Sequence, residues 1–189
     1  MNAISNLSPT QRGSPYVGPN TGELSKETFP LSEALREPTD FDGIFNVVRS
    51  AVRHALRIER PGLGLGLADL PPSLGAYWQL TGNMIVLNEG LVHVMKVMAK
   101  STLEYNSFIY VILVHEYLHS LGFIDEEQNR VQTAWVTRKA FGPRHMATRM
   151  AEGDLWQMYP FLRLAPAGDG QRLRIVTKFD TATTSAYIQ

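Results

Sequence analysis

Two histidines four residues apart bracket a glutamate in the run His115-Glu116-Tyr117-Leu118-His119. On a helix, side chains at i and i+4 project from one face, so both imidazoles can bind a single ion. Glu116 lies one residue round from the first histidine. That is close enough to hold a water at the metal yet angled away from ligation, which suits a general base. Zn2+ at such a site lowers the pKa of the water, and Glu116 takes its proton. With 5 His and 11 Glu in 189 residues, chance matches to this spacing number on the order of 0.01, so chance explains it poorly. A catalytic zinc site also needs a third protein ligand and one open position for water. The acidic run Asp125-Glu126-Glu127 supplies candidates. Asp125, six residues beyond His119 and past the turn that Gly122 allows, fits a pattern in which the chain returns to the metal. Asp125 is equally the natural cap of a following helix, which would commit its carboxylate to backbone N–H groups and leave Glu126, in the first turn, to reach the ion. Glu152 is a more remote candidate.

These residues need rigid elements to position them. After Thr39 and Asp40, either of which can cap, apolar residues recur at three and four from Phe41 through Ile44, Val48 and Val52 to Leu56, predicting an amphipathic helix. The glycine-rich stretch Pro61 to Leu74 predicts a short strand leading into a loop. Ala76 to Leu80 and Met84 to Asn88 flank Thr81-Gly82-Asn83 and predict an antiparallel hairpin. Glu89 to Lys100 predicts a helix, and Ser107 to Leu121 a second, more apolar one that carries the histidines. Gly122 ends it, Asp125 caps another helix to about Ala140, and Phe141-Gly142-Pro143 breaks that. A last helix is expected over His145 to Gln157 and a strand over Arg172 to Phe179.

Residues 1–38 are rich in Pro, Ser, Thr, Gly and Asn without sustained periodicity and predict a flexible N-terminal tail. A single domain over 39–179 and a C-terminal tail over 180–189 complete the expected organisation. Lys plus Arg and Asp plus Glu both total 18, so no bulk field attracts nucleic acid or an anionic membrane. The absence of cysteine excludes a disulfide framework, a thiolate metal site and a cysteine nucleophile. No stretch reads as a secretory leader or a bilayer span, and a cytoplasmic protein is the expectation. His54 and His93 fall on amphipathic helices and read as surface or interface residues. Tyr110, Arg144 and His145 are weak candidates for stabilising an oxyanion. Trp78, beside the expected edge strand, reads as core more readily than as a specificity wall.

The segment HEYLHSLG followed closely by acidic residues resembles the zincin metallopeptidases, especially the minimal gluzincins (minigluzincins) of prokaryotes, over roughly residues 40 to 145. The resemblance implies an α+β fold. It would be a small zincin-like domain whose antiparallel sheet, with a substrate-facing edge strand, packs on a central zinc-binding helix with flanking helices. It implies His115 and His119 as ligands, Glu116 as general base and Glu126 as the glutamate ligand. Metzincins place a third histidine where this chain has Asp125, and snapalysin-like enzymes are similar to the chain in using aspartate there. The expected function is zinc-dependent hydrolysis of a peptide or protein substrate, which pairs with the edge strand near Ala76 to Leu80. Minimal gluzincins also occur as latent forms blocked by their own ends, so autoinhibition is an expectation. Self-association through the edge strand is another. The alternatives are a zinc-stabilised regulatory or binding module without peptidase activity, and a metal-free helical interaction protein.

Overall fold

Ser101 and Glu104 set the start of the helix that carries the histidines. In the computed structural model, which describes residues 29–37, 39–168 and 172–180, the Ser101 hydroxyl accepts from the Glu104 N–H at 3.1 Å. The Glu104 carboxylate in turn accepts from the Lys100 N–H at 2.6 Å. This reciprocal cap starts α3 (Thr102–Ser120) five residues ahead of the Ser107 start that apolar spacing predicts. Propensity and capping outweigh hydrophobicity in its polar first turn. From Asn106 to Val114 α3 is buried on every side, which is why its apolar residues form a run rather than a stripe.

The other helices pack around it. α1 (Phe41–Leu56) is capped by Asp40, which accepts from Gly43 N–H at 2.9 Å. It buries Ile44, Phe45, Val48, Ala51 and Val52, as the spacing predicts. α2 (Glu89–Met98) follows the sheet, and α4 (Glu126–Phe141) packs on α1 and α3. The single last helix expected over His145 to Gln157 is two: α5 (Met146–Glu152) and α6 (Leu155–Met158). Gly153 is extended between them, and Asp154 caps the second through the N–H groups of Trp156 and Gln157. A 3-10 turn, Pro160–Leu164, follows.

Four strands, β1 (Gly64–Ala68), β2 (Ala76–Trp78), β3 (Met84–Asn88) and β4 (Leu173–Val176), form one sheet in the order β2-β3-β1-β4. The hairpin is present, with Ala76 opposite Leu87 and Trp78 opposite Ile85. The sheet itself is mixed and corrects the antiparallel expectation: β1 runs parallel to β3, with Gly64 opposite Met84, and antiparallel to β4. Alternating patterns reveal strands but not their neighbours. Here the chain leaves β1, forms β2 on the far side, and returns along β1 in the same direction. At Gly66 a Cβ would stand 2.5 Å from the tip of the exposed Leu173 side chain, which would have to swing aside. β2 is an edge, as expected.

Residues 29–37, within the span read as a tail, pack on the helices: Leu35 is buried, Leu31 N–H donates to Ala140, and the Asn106 amide donates to the carbonyls of Leu35 and Glu37. At the other end Asp180 is buried and paired with Arg49. Of the tails expected over 1–38 and 180–189, residues 1–28, 38 and 181–189 lie outside the described residues. No helix among the described residues is long and apolar enough to cross a membrane.

Candidate metal centre

The C-terminal turns of α3 present His115 and His119 on one face, with Nε2 atoms 3.2 Å apart. Gly122, in the left-handed region at φ 102°, ends the helix and swings the chain back. The Phe123 N–H bonds the Leu118 carbonyl at 3.1 Å, and the Phe123 carbonyl accepts from His119 Nδ1 at 2.8 Å. That bond fixes the ring and leaves Nε2 of the neutral imidazole as an electron-pair donor, as a metal-ligating histidine requires.

The same turn brings in α4. Asp125 accepts from the Gln128 N–H at 2.8 Å and caps that helix. Its carboxylate is therefore engaged with the backbone. Glu126, exposed in the first turn, extends to the histidines, with Oε2 at 3.3 Å from His115 Nε2 and Oε1 at 3.1 Å from His119 Nε2. Behind it the Asn129 amide donates to the His115 carbonyl at 3.0 Å and holds the two helices in register. Glu152, the remote candidate, pairs with Arg138 instead.

Among the described residues His115, His119 and Glu126 form the group able to hold a metal ion. Tetrahedral zinc with bonds of about 2.0–2.1 Å sets neighbouring donors about 3.3–3.4 Å apart, and the separations here, 3.1, 3.2 and 3.3 Å, approach that. The chemistry of the donors fits as well. Two imidazole nitrogens and a carboxylate are ordinary zinc ligands. Burial and the neighbouring His119 push the His115 pKa below the ordinary imidazole range, against the Glu126 carboxylate, which favours the neutral imidazole that metal binding requires.

Glu116 stands outside this group of three and is only 6% exposed. Burial pushes its pKa up to about 7, and the Glu126 charge adds to this, against a hydrogen bond from the Trp78 backbone. The base is thereby tied to edge strand β2. Arg60 joins the same parts: its guanidinium donates to the carbonyls of Ser120 and Gly82 and to the Asn83 side chain, and lies 5.4 Å from the Trp78 ring. Its N–H donates to the Tyr117 hydroxyl at 2.8 Å. Trp78 is half-buried and bonds Gly82 through its indole N–H.

The sequence offers no signal for Arg60 or the Trp78 backbone, because both act through contacts between distant segments. Asn129 is visible in the sequence only as a helical residue. The oxyanion candidates find other uses. Tyr110 is wholly buried against Phe141, with ring centroids 5.0 Å apart. His145 caps α5 through Nδ1 and stacks on Phe141, and Arg144 is exposed. His54 and His93 are exposed on α1 and α2. Comparison with protein-family models, with curated proteins and with solved structures gives no match.

Proposed function

We propose that this chain is a zinc-dependent metallopeptidase of the zincin kind, resembling the minimal gluzincins. The observation that carries the reading is the convergence of His115, His119 and Glu126, with donor separations of 3.1–3.3 Å, beside a buried carboxylate that ligates nothing. A purely structural zinc usually takes four protein ligands and needs no base. Three ligands and a poised Glu116 suit catalysis better. When bound, zinc supplies Lewis acidity toward the scissile carbonyl and makes water a nucleophile at neutral pH.

The chain's own groups do the rest. Glu116, buried beside the donor set, takes a proton from water and returns it to the leaving amine. The Trp78 backbone holds the carboxylate in place, and Arg60 fixes the hairpin against the end of α3. β2 has one side unpaired among the described residues, and an extended peptide adds to it as a further strand, with main-chain hydrogen bonds giving affinity.

The test is metal analysis with peptide cleavage on the full chain, beside Glu116→Ala. Stoichiometric zinc in both and cleavage in the wild type alone is the expected result. Zinc without cleavage, also after removal of residues 1–28, points to the zinc-stabilised binding module, and no zinc ends the reading. The deletion stops at 28 because residues 29–37 support α3 and α4. A rise in cleavage on that deletion reveals latency.

A further inference from the structure

Arg130 stands four residues beyond Glu126 on α4. Residues at that spacing share a face about 40° apart and about 6 Å along the axis. A Glu and an Arg so placed are within reach of each other and can pair. Here Glu126 is turned to His115 and His119, and Arg130 forms no hydrogen bond or ion pair with any described residue. Its neighbour Asn129 bonds the His115 carbonyl at 3.0 Å, so this turn of α4 lies directly against the motif helix. The Arg130 side chain is exposed and has no hydrogen-bond or ion-pair partner among the described residues.

A planar fork of N–H donors in such a position matches a carboxylate. An extended peptide advances about 3.3–3.6 Å per residue, so Arg130, about 6 Å along α4 from Glu126, stands about two peptide residues from that ligand's position on the helix. We infer that Arg130 is a specificity residue that selects substrates carrying a carboxylate within two residues of the cleaved bond. This rests on the peptidase reading for its catalytic arm only. The carboxylate can belong to an acidic side chain or to the substrate's C-terminus.

The experiment compares zinc-loaded full chain with Arg130→Gln on paired peptides: Asp or Glu against Asn or Gln at each of the two positions on either side of the bond, and free against amidated C-termini. A second arm measures binding of the same peptides to Glu116→Ala protein, with and without Arg130→Gln, at low and high salt. The expected result is about a fivefold or greater preference for the charged peptide in kcat/KM and in binding, consistent with an exposed charge-assisted contact. Salt weakens it and Arg130→Gln abolishes it, while Arg144→Gln, which removes the same charge elsewhere, leaves it. The position or terminus at which preference appears identifies the source. No preference in the wild type, or a preference that survives Arg130→Gln, overturns the inference. If nothing is cleaved, the peptidase reading fails, and the binding arm still decides the role of Arg130 by the same two outcomes.

Discussion

At Glu116 burial and the Glu126 charge oppose ionisation, and the Trp78 backbone hydrogen bond favours it. The consequence is measurable in metal-free protein. The group's ordinary value is 4.5, and the folded chain holds its proton up to about 7. Between those values the folded state binds more protons than the unfolded chain, so this group's contribution to stability is full below pH 4.5 and is lost as pH rises through 7. A shift of roughly 2.5 units corresponds to about 3 kcal/mol. Urea unfolding of metal-free protein at pH 5 and 8 is expected to show this decline, and Glu116→Gln to remove it. A decline of equal size in the variant would deny the buried carboxylate this role. Asp125 and Glu126 separate just as cleanly. Asp125→Ala loses a helix cap, about 1 kcal/mol, and keeps the metal. Glu126→Ala is expected to weaken zinc binding by about a hundredfold or more with little loss of metal-free stability. Zinc titration beside thermal unfolding reads both, and the reverse pattern would make Asp125 the ligand.

At the scale of elements, the loop before β2 is held by one side chain. Asn88, wholly buried, donates to the carbonyls of Leu70, Pro71 and Leu74 at 2.9–3.2 Å and accepts from the Gly90 and Leu91 N–H groups, capping α2. Asn88→Ala strands those groups without water and is expected to cost roughly 3 kcal/mol. The urea midpoint should fall with an unchanged slope, and a loss under about 1 kcal/mol would mean that the loop finds other partners. Nothing in the sequence distinguishes Asn88 from an ordinary end of a strand. What periodicity and capping chemistry do specify is local. The start of α1 after Asp40, the hairpin about Thr81 to Asn83, the end of α3 at Gly122 and the cap at Asp125 are all readable within a few residues. The histidine pair is readable for the same reason, since i and i+4 is a property of one helix. The third ligand is not, because a choice between adjacent carboxylates depends on which way α4 leaves the turn. The parallel pairing of β1 with β3 and the contact of Trp78 with Glu116 likewise arise only when segments meet.

Over the described residues, segments far apart in sequence converge on the motif helix. Asp180 accepts from Arg49 of α1 at 2.8 Å and from the N–H groups of Gly62 and Leu63 at 2.6 and 3.1 Å. Arg49 also pairs with Glu59, whose pKa it lowers. Beside this cluster Phe179 lies on Phe45, and Phe45 meets Tyr117 of α3 edge-on. The segment from 59 to 63 continues into β1 and carries Arg60, which fastens the end of α3 to the hairpin. Asp180→Ala therefore leaves a buried guanidinium with one partner fewer and two N–H groups unmet, and breaking a buried pair in this way costs about 3–5 kcal/mol. Asp180→Asn is expected to cost less, because its side-chain oxygen can still accept from the backbone. Neither substitution touches the metal ligands. An ion that binds only the folded state adds RT ln(1 + [L]/Kd) to its stability, so saturating zinc should raise the melting temperature of the Asp180→Ala variant about as much as that of the wild type. Differential scanning calorimetry with and without zinc measures both effects. A variant that melts low but gains nothing from zinc would place the metal centre's integrity in the ion-paired cluster at Asp180 rather than in the local turn from His115 to Glu126.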